Sequence, residues 1–171
     1  MTTFTEPHRP FSLWRIAGWG SIAVLLSIPA IFRFPWTLSD FVIMGLLLGS
    51  VGLGIEFLVR QSGSLFVRLG AIVMVLTGFL TIWVNLAVGM IGDDELYNLL
   101  FLLPLGAALL GGAIVRLDPR AMVKVSLLAA LLQVGIGLGG YAMDPRGAIL
   151  SAGFGLFWLF AAALFRAGSN R

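Results

Sequence analysis

Residues 83–95 read WVNLAVGMIGDDE. An asparagine, Asn85, sits inside an apolar run, and three consecutive acids, Asp93, Asp94 and Glu95, close it. The run extends back to Leu69, so the stretch from Leu69 to Ile91 is long enough to cross a hydrocarbon core of roughly 30 Å, which needs about 20 apolar residues. Asn85 therefore reads as a polar group at membrane depth, and the acids as the turn that follows the span.

The rest of the chain has the same character. Of its 171 residues, 59% are hydrophobic and 11% charged, well under the roughly 25% charged expected of a soluble domain; mean hydropathy is +1.01. Six apolar blocks qualify as spans: 16–32, 41–59, 69–91, 96–115, 121–143 and 148–165. With short links between them, the expected fold is all-α. It is a single transmembrane domain over residues 1–171, a polytopic membrane protein with six helices in three hairpins. No A-x-A-like cleavage site follows the first block, which ends in Ile-Phe-Arg-Phe-Pro-Trp, so it reads as an uncleaved helix.

Orientation follows from the basic residues, which are enriched in cytoplasmic loops. Nine of the eleven fall on one side if the spans alternate: Arg9, Arg15, Arg60, Arg68, Arg116, Arg120, Lys124, Arg166 and Arg171. Arg33 and Arg146 fall on the other. Both termini are thus expected in the cytoplasm, with Asp40, Asp93, Asp94, Glu95 and Asp144 on the outer face. Trp14 at the inner edge, and Trp36, Tyr97 and Tyr141 near the outer one, fit the interfacial preference of amphipathic rings. Basic residues scattered singly between apolar blocks make no nucleic-acid patch.

Several chemistries lack their residues. With no cysteine there is no thiolate ligand or nucleophile, and the only histidine, His8, lies in the polar leader. A histidine-ligated haem at membrane depth and a cysteine-ligated metal are excluded. A bound pigment or lipid is left open.

Helices in lipid associate through small residues and polar bonds, because the hydrophobic effect does not drive them together there. The 22 glycines should therefore form stripes. Gly45, Gly49, Gly52 and Glu56 share one face of the second span. Gly78, Thr81, Asn85, Gly89 and Gly92 share a face of the third; Ser126, Ala130, Gln133, Gly137 and Gly140 of the fifth; Ser151, Gly155 and Ala162 of the sixth. Glu56, Asn85 and Gln133 thus lie on small-residue faces, either as hydrogen-bonding glue or as stations of a polar path. Glu56 also has Arg60 at i+4 in the favourable order, with Arg68 across the turn.

Two prolines interrupt the spans and predict kinks, Pro29 in the first and Pro104 in the fourth. Pro104 leaves the Leu100 carbonyl without its helical donor, and Asn85 lies at a similar depth, so the Asn85 amide is expected beside Leu100. Asp93 or Asp94 is expected to cap the fourth helix, and Thr37 with Asp40 the second. Asp40, Asp93, Asp94 and Glu95 are also the weak candidates for a hard-cation site.

Residues 40–92 resemble a family of small bacterial inner-membrane proteins of unknown function. The residues that carry the resemblance are the Gly-rich second span ending in Glu56, the Ser62-Gly63 turn, and Phe79-Leu80 followed by Trp83, Asn85, Ala87-Val88-Gly89 and Ile91-Gly92. After Gly92 the chain departs, with Asp-Asp-Glu-Leu-Tyr-Asn where the family has a longer acidic turn. The resemblance implies topology only; the expected location is the bacterial inner membrane. For function, the sequence supports a structural or accessory subunit packed against other membrane proteins or against itself. The alternative is a small transporter or channel.

Overall fold

The computed structural model describes residues 13–61 and 64–170. His8, Arg9, Arg171, the Ser62-Gly63 turn and the side chain of Trp14 lie outside the described residues. Every element among those described is helical: α1 (Leu13–Ile31), α2 (Leu38–Gln61), α3 (Leu65–Val88), α4 (Glu95–Asn98), a 3₁₀ turn (Leu99–Phe101), α5 (Leu102–Ile114), α6 (Pro119–Gly139) and α7 (Pro145–Ser169). Five helical stretches are long and apolar enough to cross a membrane: α2, α3, the run Glu95–Ile114, α6 and α7. The apolar part of α1, Arg15–Ile31, is shorter.

Most helices start where a short polar side chain can take up free N–H groups. Thr37 and Asp40 open α2: the Thr37 N–H donates to Asp40 Oδ2 at 2.7 Å, and the Asp40 N–H returns to Thr37 Oγ1 at 3.4 Å. Asp94 accepts from the Tyr97 N–H at 2.9 Å, and Asp118 from Ala121 at 2.9 Å. Asp118 and Asp144 each precede a proline at the start of their helix, where the missing N–H costs nothing. These caps place α6 and α7 two and three residues ahead of the starts at 121 and 148 expected from apolar content alone.

The contacts divide the chain after Leu53 into two compact units. In the first, side chains of α1 lie against glycines of α2; an added Cβ would come within 2.8 Å of Ile22 at Gly52 and 3.7 Å of Leu26 at Gly45. Pro29 lies inside α1 near its end, and its carbonyl accepts from Phe34 at 2.9 Å as the chain leaves the helix.

In the second unit, α6 and α7 form a tight antiparallel pair, α3 packs along α7, and α5 along α6. The helices of the last two apolar blocks, α6 and α7, therefore make the expected hairpin. Those of the third and fourth blocks do not: α3 and α5 touch only lightly. The buried face of α3, Val67, Gly70, Ala71, Met74, Thr77 and Thr81, provides the reason. Its small residues admit α7, and a Cβ at Gly70 would be 3.2 Å from the Phe165 ring. Gly78, expected in the same packing stripe, has only Leu105 near it, at 3.9 Å.

The α6–α7 seam explains its own closeness. A Cβ at Gly137 would sit 2.8 Å from Ser151 Oγ, and one at Gly155 would sit 2.3 Å from a Val134 methyl. Where two backbones approach this closely, many weak dispersion contacts replace the solvent-driven term that lipid removes. Trp158 and Phe165 fill the space between α3, α6 and α7, both buried.

Candidate functional site

The described polar atoms concentrate where α3 ends. The third span does not run to Ile91 as its apolar content suggests; it stops at Val88. Gly89 turns the chain with φ 74° and ψ 149°, a combination almost confined to glycine. Gly89 is thus a turn former rather than a packing residue on a helix face, and Gly92, also at positive φ, ends the turn. Between them Met90 and Ile91 are each 1% exposed, so the turn folds inward.

A buried non-helical backbone must find partners for its N–H and C=O groups. Two asparagines and an aspartate supply them. Asn98 Oδ1 accepts from Met90 at 3.0 Å and Ile91 at 2.9 Å, while its Nδ2 donates to the Gly92 carbonyl at 3.0 Å. Asn85 Oδ1 accepts a second bond from Met90 at 3.2 Å, and its Nδ2 donates to the Asn98 carbonyl at 2.9 Å. Asp144 Oδ2 accepts from Gly92 at 3.1 Å, and its Oδ1 from Arg146 and Gly147, both at 3.0 Å. One carboxylate therefore caps α7 and holds the turn.

The turn rests on two glycines, Gly140 just past the end of α6 and Gly147 in the first turn of α7. A Cβ at Gly147 would lie 2.4 Å from the Met90 carbonyl oxygen, and one at Gly140 would lie 2.7 Å from an Ile91 methyl. Tyr97 adds a tie from α4 to α6, its hydroxyl donating to the Ile136 carbonyl at 2.7 Å.

Asn85 bonds to the Asn98 carbonyl, not to Leu100. The 3₁₀ turn directs the Leu102 N–H to Leu99 and Leu100, away from Asn98, whose carbonyl then takes the amide. Pro104 sits, buried, in the first turn of α5 directly after that 3₁₀ turn. There its missing N–H is among the donors a helix start leaves free.

The other two polar residues expected at membrane depth have separate partners. Glu56 is ion-paired with Arg60 one turn along α2. Gln133 is fully buried in the α6–α7 seam, with Nε2 donating to Ser151 Oγ at 3.3 Å; its Oε1 has no partner. Ser126 Oγ and Trp158 Nε1 are also buried and unpartnered. Arg60 for Glu56, Met90 and Asn98 for Asn85, and Ser151 for Gln133 are different residues on different elements. Among the described residues no three acidic or histidine side chains converge where a metal could be held, and Asp40 and Asp94 are occupied as caps.

Sequence reasoning passed over Asn98, Asp144 and Gly147 as members of this site. A signal for Asn98 exists: residues 98, 101, 105, 108 and 112 are buried at alternating spacings of three and four, one face of a helix with the asparagine at its head. Nothing local marks Asp144 as more than a cap.

The Asp144 carboxyl is held below its ordinary pKa, first by the Gly147 N–H, with Gly92, Arg146 and the Arg146 charge adding to it against partial desolvation. A carboxylate with a depressed folded pKa contributes stability above its unfolded pKa, and the contribution disappears as pH falls through the folded value. Thermal stability in detergent should therefore fall as pH drops below about 4. In Asp144→Asn, which keeps an acceptor but cannot titrate, that acid-dependent part should shrink; an unchanged pH profile would show that Asp144 does not carry it. No protein-family model, curated protein or solved structure matches the chain.

Proposed function

We propose that the chain is a six-span protein of the bacterial inner membrane with both termini in the cytoplasm. Its role is that of a structural or accessory subunit, packed against other membrane proteins through small-residue faces. The observation that carries this reading is Gly49. It lies on the Gly45–Gly49–Gly52 face of α2, yet within its own unit no atom lies within 4 Å of where a Cβ would be. Small residues on helices in lipid permit close approach of another helix, and nothing in that unit uses the space at Gly49. The polar residues support the same reading, since Asn85 is engaged in closing a turn and Glu56 in an ion pair.

Two experiments separate this from the alternative, a transporter or channel with a polar path near Glu56, Asn85 and Gln133. Purification in mild detergent from native membranes should recover a second membrane polypeptide in fixed proportion. Gly49→Leu should lose that polypeptide while keeping wild-type expression and melting behaviour. In proteoliposomes, Glu56→Gln should leave ion flux unchanged. A wild-type chain recovered alone, with a flux that Glu56→Gln abolishes, would overturn the accessory reading in favour of transport.

A further inference from the structure

The light contact between α3 and α5 leaves an open groove of about 490 Å³ in the second unit. Its walls are apolar, lined by Leu86 on α3 and by Leu102 and Leu105 on α5. Its polar end is the α3–α4 turn, where Asn85, Asp93 and Glu95 line it. Asp93 and Glu95 are exposed and make no ion pair with any described residue, and neither caps α4, a role taken by Asp94. Asn85 Nδ2 uses one hydrogen on Asn98 and has a second to offer. No lysine or arginine lines the groove.

We propose that this groove binds a bilayer lipid whose head group carries an ammonium. One acyl chain lies along the leucines and the ammonium sits at Asp93 and Glu95. The second Asn85 amide hydrogen is available to an oxygen of the head group. Size limits what enters: the groove falls within the range of about 300–1,000 Å³ typical of small-molecule sites. It is too small for a helix about 10 Å across and 20 Å long, roughly 1,500 Å³, or for a whole lipid, so one acyl chain enters it. Charge selects the head group, because two unpaired carboxylates favour a cation and repel an anionic lipid. The proposal depends on the chain lying in a bilayer but not on its having a protein partner.

The full chain, purified in detergent, is equilibrated with equal amounts of phosphatidylethanolamine and phosphatidylglycerol bearing the same acyl chains, and retained lipid is read by native mass spectrometry. The ethanolamine lipid should be retained about five-fold over the glycerol lipid, the size of effect that two exposed ion pairs can give. In the double variant Asp93→Asn/Glu95→Gln the ratio should approach one. Ala87→Trp, which adds bulk at an exposed groove position, should lower retention of both. Both variants leave the caps and the Asn98 bonds untouched, and circular dichroism should be that of the wild type. A wild-type ratio near one, or a ratio unaffected by the double variant, would overturn the proposal. So would retention of dodecylamine without retention of either lipid, which would make the groove a site for free amines. A polypeptide that fills the groove and excludes both lipids would overturn it as well.

Discussion

Gly89→Ala should destabilise the purified protein by about 3 kcal/mol or more, equivalent to a fall in melting temperature of roughly 10 °C for a chain of this size. Two costs combine. At φ 74° and ψ 149° an L-residue is strained wherever it occurs. Here the new methyl would also lie 2.3 Å from the Gly92 carbonyl oxygen and 2.8 Å from Asn98 Nδ2. The first contact is with backbone, so relief requires the turn itself to move, and with it the buried Met90 and Ile91. A thermal melt in detergent checks the prediction; a shift within a degree or two of wild type would mean that the chain does not turn at Gly89.

Asn98→Ala should cost about as much, by another route. It removes the acceptor for the Met90 and Ile91 N–H groups and the donor to the Gly92 carbonyl. Each buried backbone group left without a partner costs about 1–3 kcal/mol. Asn85 still accepts from Met90, so about 3–5 kcal/mol is expected rather than the full sum. A thermal melt in detergent checks it; a shift within a degree or two of wild type would show that the Asn98 bonds contribute little.

The helices were legible because their signals are local. Apolar blocks of about 20 residues place the helices, whereas the caps Asp118 and Asp144, which set the starts of α6 and α7, lie outside those blocks and were passed over. The multi-helix apolar bundle follows from the blocks. The end of α3 was not legible, because Met90 and Ile91 are as apolar as any helical residue. What removes them from the helix is a set of partners in other elements: Asn98 in α4, Asp144 ahead of α7, and the glycines at 140 and 147 on which the turn rests.

Asn85 stands between these cases. Its depth in the span was readable, and so was its need for a partner near the start of the fourth span. The choice of Asn98 over Leu100 depends on a 3₁₀ turn that Leu99-Leu100-Phe101 does not announce. The pairing of spans was only half legible for a related reason. Loop length brings α3 and α5 into sequence adjacency, but the small residues that decide packing put α3 against α7.

The central claim is that Asn98, braced by Asn85 from inside the apolar run, closes an inward-folded turn at the end of α3. Amide hydrogen exchange at Met90 and Ile91 in the detergent-solubilised chain tests it most directly. Both amides should exchange as slowly as those in the middle of α6, and both should lose that protection in Asn98→Ala. Exchange at the rate of an unstructured loop in the wild-type chain would contradict the account.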